Sequence, residues 1–246
     1  MITHPNTQEK IRILSNTYQM LGFWQTFKKV VVYSLQGGPR DTFDEKFGVS
    51  TSEAVDTLAA GIEDADARAL AVKYVATPEP VMRHILEKST AGQPLEDFSF
   101  VDLGSGKGRT LIMASHFAFR EVIGVELSPQ HCRVAEENVE RFLQGDHDPL
   151  CSKIRVVCAN AMDFRFPDGP VLVYMYRPFL SSVVQAVADN LHRFQAETGH
   201  RVLLAYSCPM EEGVLSRHPS FHQVEEYQTI SVEQSWGLWE CRVEAN

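Results

Sequence analysis

The chain predicts an α/β fold: a Rossmann-like, seven-stranded, mostly parallel sheet with a C-terminal antiparallel hairpin, preceded by an N-terminal helical extension. Three observations predict it. From about residue 98 onward, strand-length apolar runs alternate with helix-period segments, the order produced by parallel strands joined through right-handed crossovers. The first of these runs, Phe100-Val101-Asp102-Leu103, opens directly into the alternating glycines Gly104, Gly106 and Gly108, a strand-to-helix turn of the kind that lets backbone approach a ligand. The next run, Gly124-Val125-Glu126, ends on an acid roughly 20 residues beyond that turn.

Taken in order, Ile11, Leu14, Tyr18, Leu21, Trp24, Phe27 and Val31 recur at helical spacing and predict one long or two short amphipathic helices over about residues 7–35. Packing of that face on the core is the first reading, a lid over the ligand site the second, and an interfacial membrane helix a distant third, because the polar face is not strongly basic. Gly37-Gly38-Pro39-Arg40-Asp41 breaks the pattern as a loop between extension and core. Ser50-Thr51-Ser52-Glu53 offers a hydroxyl cap to a short helix from Ala54, and the acidic run Glu63 to Asp66 reads as solvated surface. Thr77 is expected to cap a helix with Pro78 in its first turn and Val81, Met82, Ile85 and Leu86 on its apolar face. Strands are predicted at 98–103, 121–126, 154–158, 171–176 and 202–207, helices at 110–118, 129–143 and 180–195, and a closing hairpin at 221–230 and 236–243. The division is an extension or lid over 1–73 and a domain carrying the glycine turn over 74–246.

Composition narrows the classes. Hydrophobic residues at 44% and charged residues at 22% suit a globular core, and no apolar run approaches the roughly 20 residues that span a bilayer. The N-terminus lacks a basic start and an apolar stretch, so a cytoplasmic protein is expected. A net charge of −9 opposes nucleic-acid binding, which relies on basic side chains neutralising phosphates. Cys132, Cys151, Cys158, Cys208 and Cys241 form no C-x-x-C pair, and the histidines stand at no metal-ligand spacing, so no metal is expected. Cys158 and Cys208, at strand ends, are expected in the core.

The glycine turn is not a dinucleotide fingerprint, since its glycines run G-x-G-x-G, and it is not a P-loop, because Gly108 rather than Ser or Thr follows Lys107. Asp102 discriminates further. Its charge would repel a pyrophosphate but suits S-adenosylmethionine, which has no phosphate and carries an amino group and a sulfonium. Ser105 and Gly108 complete the candidate cofactor turn with Gly104 and Gly106. Glu126, followed by Leu127, is placed to accept hydrogen bonds from ribose hydroxyls. Asn160, followed by the small Ala161, can meet an adenine edge with its carboxamide, or serve only as a turn residue. The fourth strand runs into Tyr176 and Arg177, where acceptor chemistry belongs in such sheets: Tyr176 to orient the acceptor or line the sulfonium pocket, Arg177 to clamp a carboxylate or phosphate, with a surface ion pair as the plainer reading of Arg177 and core aromatic packing that of the neighbouring Tyr174 and Phe179.

Together these residues resemble the class I, seven-strand S-adenosylmethionine-dependent methyltransferases over about 74–243. The resemblance implies that Asp102, Gly104 and Gly106 hold the methionine part, Glu126 the ribose and Asn160 the adenine, although the family more often has Asp at that last position. Tyr74-Val75-Ala76-Thr77-Pro78-Glu79 is similar to a segment of a group that includes protein-lysine methyltransferases, which makes Tyr74 and Thr77 cofactor contacts by analogy. Tyr176-Arg177-Pro178-Phe179 departs from the acidic or Asn residue followed by two prolines of many amino-group methyltransferases; a guanidinium has no acceptor for a target amine, so methylation of a base amine is disfavoured. The expected acceptor is a small molecule with an acidic group, and alternatively a protein lysine. A non-catalytic module that keeps the cofactor fold, and an NAD-linked oxidoreductase, are the competing classes. Oligomeric state is not legible.

Overall fold

A computed structural model of the chain describes residues 41–53, 75–176, 181–209, 212–227 and 235–243. The helices expected over 7–35 and from Ala54, and the candidate residues Tyr74 and Arg177, lie outside the described residues. In chain order the elements are α1 (Phe43–Phe47), α2 (Glu79–Ser89), β1 (Ser99–Leu103), α3 (Arg109–Ala114), β2 (Glu121–Glu126), α4 (Pro129–Gln144), β3 (Ile154–Cys158), β4 (Val171–Tyr176), α5 (Ser181–Thr198), β5 (Val202–Ser207), α6 (Glu212–Arg217), β6 (Phe221–Tyr227) and β7 (Trp236–Cys241).

The seven strands form one sheet in the order β3-β2-β1-β4-β5-β7-β6. β1 through β5 are parallel, and β7 runs antiparallel between β5 and β6. Chain order reverses direction between β1 and β4, so the crevice outside their carboxyl ends is the natural ligand position of such a sheet. Helices cover both faces, which is why β1, β2, β5 and β7 are buried at every residue instead of alternating. Phe100, Leu172, Tyr174 and Leu203 pack on one face with Val81, Met82 and Ile85 of α2 and Leu111 and Ile112 of α3. On the other face Val101, Val125, Val173 and Leu204 meet Val184, Val187 and Leu191 of α5.

Residues 41–53 belong to the first of these cores. Phe43, Phe47 and Val49 are buried in it, and the ring of Phe47 lies edge-on to Phe142 of α4, with centroids 5.6 Å apart. Gly48, in the left-handed region at φ 68°, closes α1, after which Asp44 accepts from the backbone N–H groups of Thr51 and Ser52, each at 2.8 Å.

Four expectations need correction. Pro78, not Thr77, occupies the cap position of α2, and the Thr77 hydroxyl turns instead to Tyr174. The helix expected over 110–118 starts at Arg109 and stops at Ala114; the Ser115 hydroxyl donates to the Ile112 carbonyl at 2.7 Å, and such local bonds compete with helix continuation. Cys208 is buried as expected, but Cys158 is exposed, at the end of the edge strand β3. α1 and α6 have no counterpart in the sequence prediction, being too short for periodicity to register.

Candidate functional site

The glycine turn leaves β1 and enters α3 through three residues with positive φ: Gly104 at 82°, Gly106 at 53° and Gly108 at 82°. A side chain at any of them would sit in the left-handed region, which explains the alternating glycines. The turn is stitched to β2: the Gly104 and Ser105 N–H groups donate to the Val125 carbonyl at 2.8 and 3.1 Å. Gly124 makes this close approach possible, since a Cβ there would lie 2.6 Å from both the Ser105 hydroxyl and a Leu111 methyl.

Glu126 ends β2 with its carboxylate held by backbone. Gly106 N–H donates to Oε2 and Ser128 N–H to Oε1, both at 2.8 Å. Ser128 in turn caps α4 by accepting from His131 N–H at 3.2 Å, and His131 Nδ1 lies 3.7 Å from Glu126 Oε1. Leu127, half-buried, separates the two.

Asp102, the fourth residue of β1, is only 2% exposed and accepts a hydrogen bond from the Thr110 hydroxyl on the first turn of α3. Burial raises its carboxyl to about 7, against the lowering effect of Thr110 and with a further push from the negative charge of Glu126. Tyr174 of β4 stands beside Asp102 in strand register. The Tyr174 hydroxyl lies 3.1 Å from Thr77 Oγ1, and burial raises its phenol well above the ordinary value.

Asn160 follows β3 beside Glu126, where Ala159 N–H donates to the Glu126 carbonyl at 2.9 Å. Its side-chain oxygen accepts from Met162 N–H at 3.0 Å and caps the short 3-10 turn Ala161–Asp163, so the turn role anticipated for Asn160 is present. The carboxamide NH2 remains available to an acceptor on a ligand's edge. Tyr176 ends β4, half-buried, paired in register with Ser207 of β5.

Thr77, Asp102, Ser105, Gly104, Gly106, Gly108 and Glu126 therefore converge on the carboxyl ends of β1 and β2; Asn160 and Ala161 flank them from β3, and Tyr176 stands across the switch point on β4. Sequence reasoning missed the parts played by Thr110 and Gly124; Tyr174, for which core packing was one reading, is buried and its hydroxyl also meets Thr77. The spacing of a hydroxyl eight residues after Asp102, on the first turn after the glycines, is the one local signal that could have found Thr110. Among the described residues no cluster of metal-ligating side chains occurs, and no helix is long and apolar enough to cross a membrane.

The donor set fits S-adenosylmethionine. A buried carboxylate pushed up to about 7 is short of hydrogen-bond donors, which an amino group would supply. Glu126 uses one acceptor site on each oxygen for backbone and keeps others for paired hydroxyls.

Residues 100–199 match the family model described as a methyltransferase domain. No curated protein sequence matches the chain. Among solved structures, the chain is similar to magnesium protoporphyrin IX methyltransferase from Synechocystis PCC 6803 with bound S-adenosylmethionine, at 12% identity, covering 98% of each chain with a TM-score of 0.50. It is also similar to a Pyrococcus horikoshii protein provisionally called an RNA methyltransferase, at 17% identity and TM-score 0.50, over 77% of this chain and 96% of that one. A mutant of MtNAS in complex with S-adenosylmethionine aligns at 16% identity and TM-score 0.49; 67% of this chain spans 63% of that one. Identities this low speak for the fold. The seven-stranded sheet gives the chain the Rossmann-like α/β fold of these structures, and the methyltransferase-domain match falls on the stretch that holds the Asp102–glycine turn and Glu126. The acceptors named for the similar structures differ, a magnesium porphyrin in one and RNA in another, so they single out none for this chain.

Proposed function

We propose that this chain is a cytoplasmic enzyme that methylates a small molecule bearing an acidic group. The observation that carries the methyltransferase reading is Asp102: a carboxylate buried at the end of β1 with its pKa raised to about 7 fits an ammonium partner and repels a pyrophosphate. In the ionised state Asp102 would accept from the amino group of the methionine part, steadied by Thr110, while the free acceptor sites of Glu126 take the ribose hydroxyls and the Asn160 amide meets the adenine edge. S-adenosylmethionine supplies a methyl group already activated by its sulfonium. Beyond that, an in-line displacement gains most from alignment, so the residues at the crevice act by position and an obvious general base is not required.

The acceptor class rests on the end of β4. Tyr176 ends β4 at the switch point, Arg177 is the next residue in sequence, and a guanidinium fork suits a carboxylate or phosphate. Isothermal titration with S-adenosylhomocysteine, with NAD in parallel, tests the cofactor: micromolar binding of the former alone is expected, and binding of NAD instead would overturn the reading. Methyl transfer from labelled cofactor to a panel of small acids then tests the acceptor; turnover of lysine peptides and not of acids would replace the acidic acceptor with a protein.

A further inference from the structure

Resting on the cofactor reading above, we propose that Asn138 and the Asp41–Arg109 pair are positioning groups: together they hold the glycine turn in its cofactor-binding shape from behind, so that residues 41–53 set cofactor affinity through the turn.

The two attachments straddle Gly108. On one side, the fully buried Asn138 of α4 donates from its amide to the Lys107 carbonyl at 3.0 Å. The same amide donates to the Ser50 carbonyl at 3.2 Å, and the Asn138 oxygen accepts from Ser50 N–H at 2.9 Å. Asn138 thus pairs with Ser50 as a neighbouring strand would, and uses its second amide hydrogen on the turn. On the other side, Arg109, the first residue of α3, grips both oxygens of Asp41 at 2.5 and 2.7 Å and lies 4.3 Å over the ring of Phe43. The Arg109 side chain is 3% exposed and Asp41 is 47% exposed, so the planar fork is fixed by packing while its partner reaches in from the surface.

Between these anchors sits the most deformable part of the turn. Gly106, Lys107 and Gly108 include two positive-φ glycines, and glycine loses more backbone freedom on ordering than any other residue. Gly106 is also the residue whose N–H holds Glu126. A turn that samples other shapes lowers apparent affinity in proportion to the fraction of time spent in the competent one. Fixing the Lys107 carbonyl and the Arg109 side chain raises that fraction before the cofactor arrives. The sequence offered no hint of this, because Asn138 lies 88 residues from Ser50 and 31 from Lys107.

The test uses the full chain and S-adenosylhomocysteine as probe. Asn138→Ala removes three hydrogen bonds, and Asp41→Asn, at a half-exposed position where folding is not in question, weakens the second anchor alone. Each is expected to reduce affinity by roughly 5- to 30-fold, with faster amide hydrogen exchange over residues 104–109 and unchanged exchange in β4 and β5. Wild-type affinity in both folded variants would overturn the proposal, as would lost affinity accompanied by uniformly faster exchange through the sheet. Failure of the wild-type chain itself to bind the probe strikes the cofactor reading, a result separable from the first two.

Discussion

Two buried acids end adjacent strands of this sheet, and they are supported in opposite ways. Glu126, at the end of β2, has a backbone N–H on each oxygen, from Gly106 and Ser128. Asp102, near the end of β1, relies on the Thr110 hydroxyl, and burial drives its carboxyl up to about 7. One carboxylate is a finished part of the fold, with acceptor capacity left over. The other costs the protein stability while charged, a cost that a cation beside it would offset. A ligand with paired hydroxyls at one end and an ammonium at the other matches that division.

The sharpest way to break the comparison is Asp102→Asn. Loss of S-adenosylhomocysteine binding by at least about 100-fold is expected, because a charge-assisted contact disappears in a dry site. The same variant should be more stable than the wild type. A carboxyl held at about 7 against an ordinary 3.8 favours the folded state only while protonated, so its contribution is full below about pH 4 and lost as pH rises through 7. Thermal or urea unfolding at pH 8 should show a gain on the order of 2–4 kcal/mol that vanishes near pH 4.

The pH dependence of binding comes next in size. If the cofactor's amino group requires ionised Asp102, affinity for S-adenosylhomocysteine should fall about tenfold per pH unit below 7 and level off above it. Calorimetry in two buffers of different ionisation heat should then show proton release on binding, largest near and below pH 7. A flat affinity from pH 5.5 to 8 would remove Asp102 from the contact.

Glu126→Gln should move stability the other way. An amide in place of one carboxylate oxygen turns an NH2 toward Gly106 or Ser128 N–H, leaving a buried donor unpaired at a cost of about 1–3 kcal/mol. Opposite signs for Asp102→Asn and Glu126→Gln in one set of unfolding curves at pH 8 would establish the contrast. The smallest effect belongs to Thr110→Val, which removes the hydroxyl that lowers the Asp102 carboxyl; the midpoint of the binding profile should shift alkaline by about one unit or less, measured by the same titrations.

Most of the framework was legible in the sequence. Four of the five parallel strands fall on their predicted residues and the fifth, β1, begins one residue late at Ser99, because fully buried strands announce themselves as continuous apolar runs bounded by turn residues. Asp102, the glycines and Glu126 were readable because their spacing is set within single turns of chain. Thr110, Tyr174 and Asn138 were not, since each acts through a partner that the sheet or helix packing brings near: Tyr174 reaches Thr77 across 97 residues. The Asn160 assignment shows a further limit. Its carboxamide caps a turn, and sequence alone could not say that the oxygen was already engaged.

The placement of β7 between β5 and β6 has a consequence in time. During synthesis, β1 to β5 emerge in order and can pair as a parallel sheet around the cofactor turn, but the outer edge of β5 must wait for a strand some thirty residues farther along the chain, about one hairpin's length beyond it. Until Trp236–Cys241 arrives, a fully buried apolar strand stands at the border of the nascent sheet, open to pairing with other chains. The part of the sheet that carries the glycine turn can therefore form on the ribosome while the outer edge of β5 is still the part most exposed to aggregation.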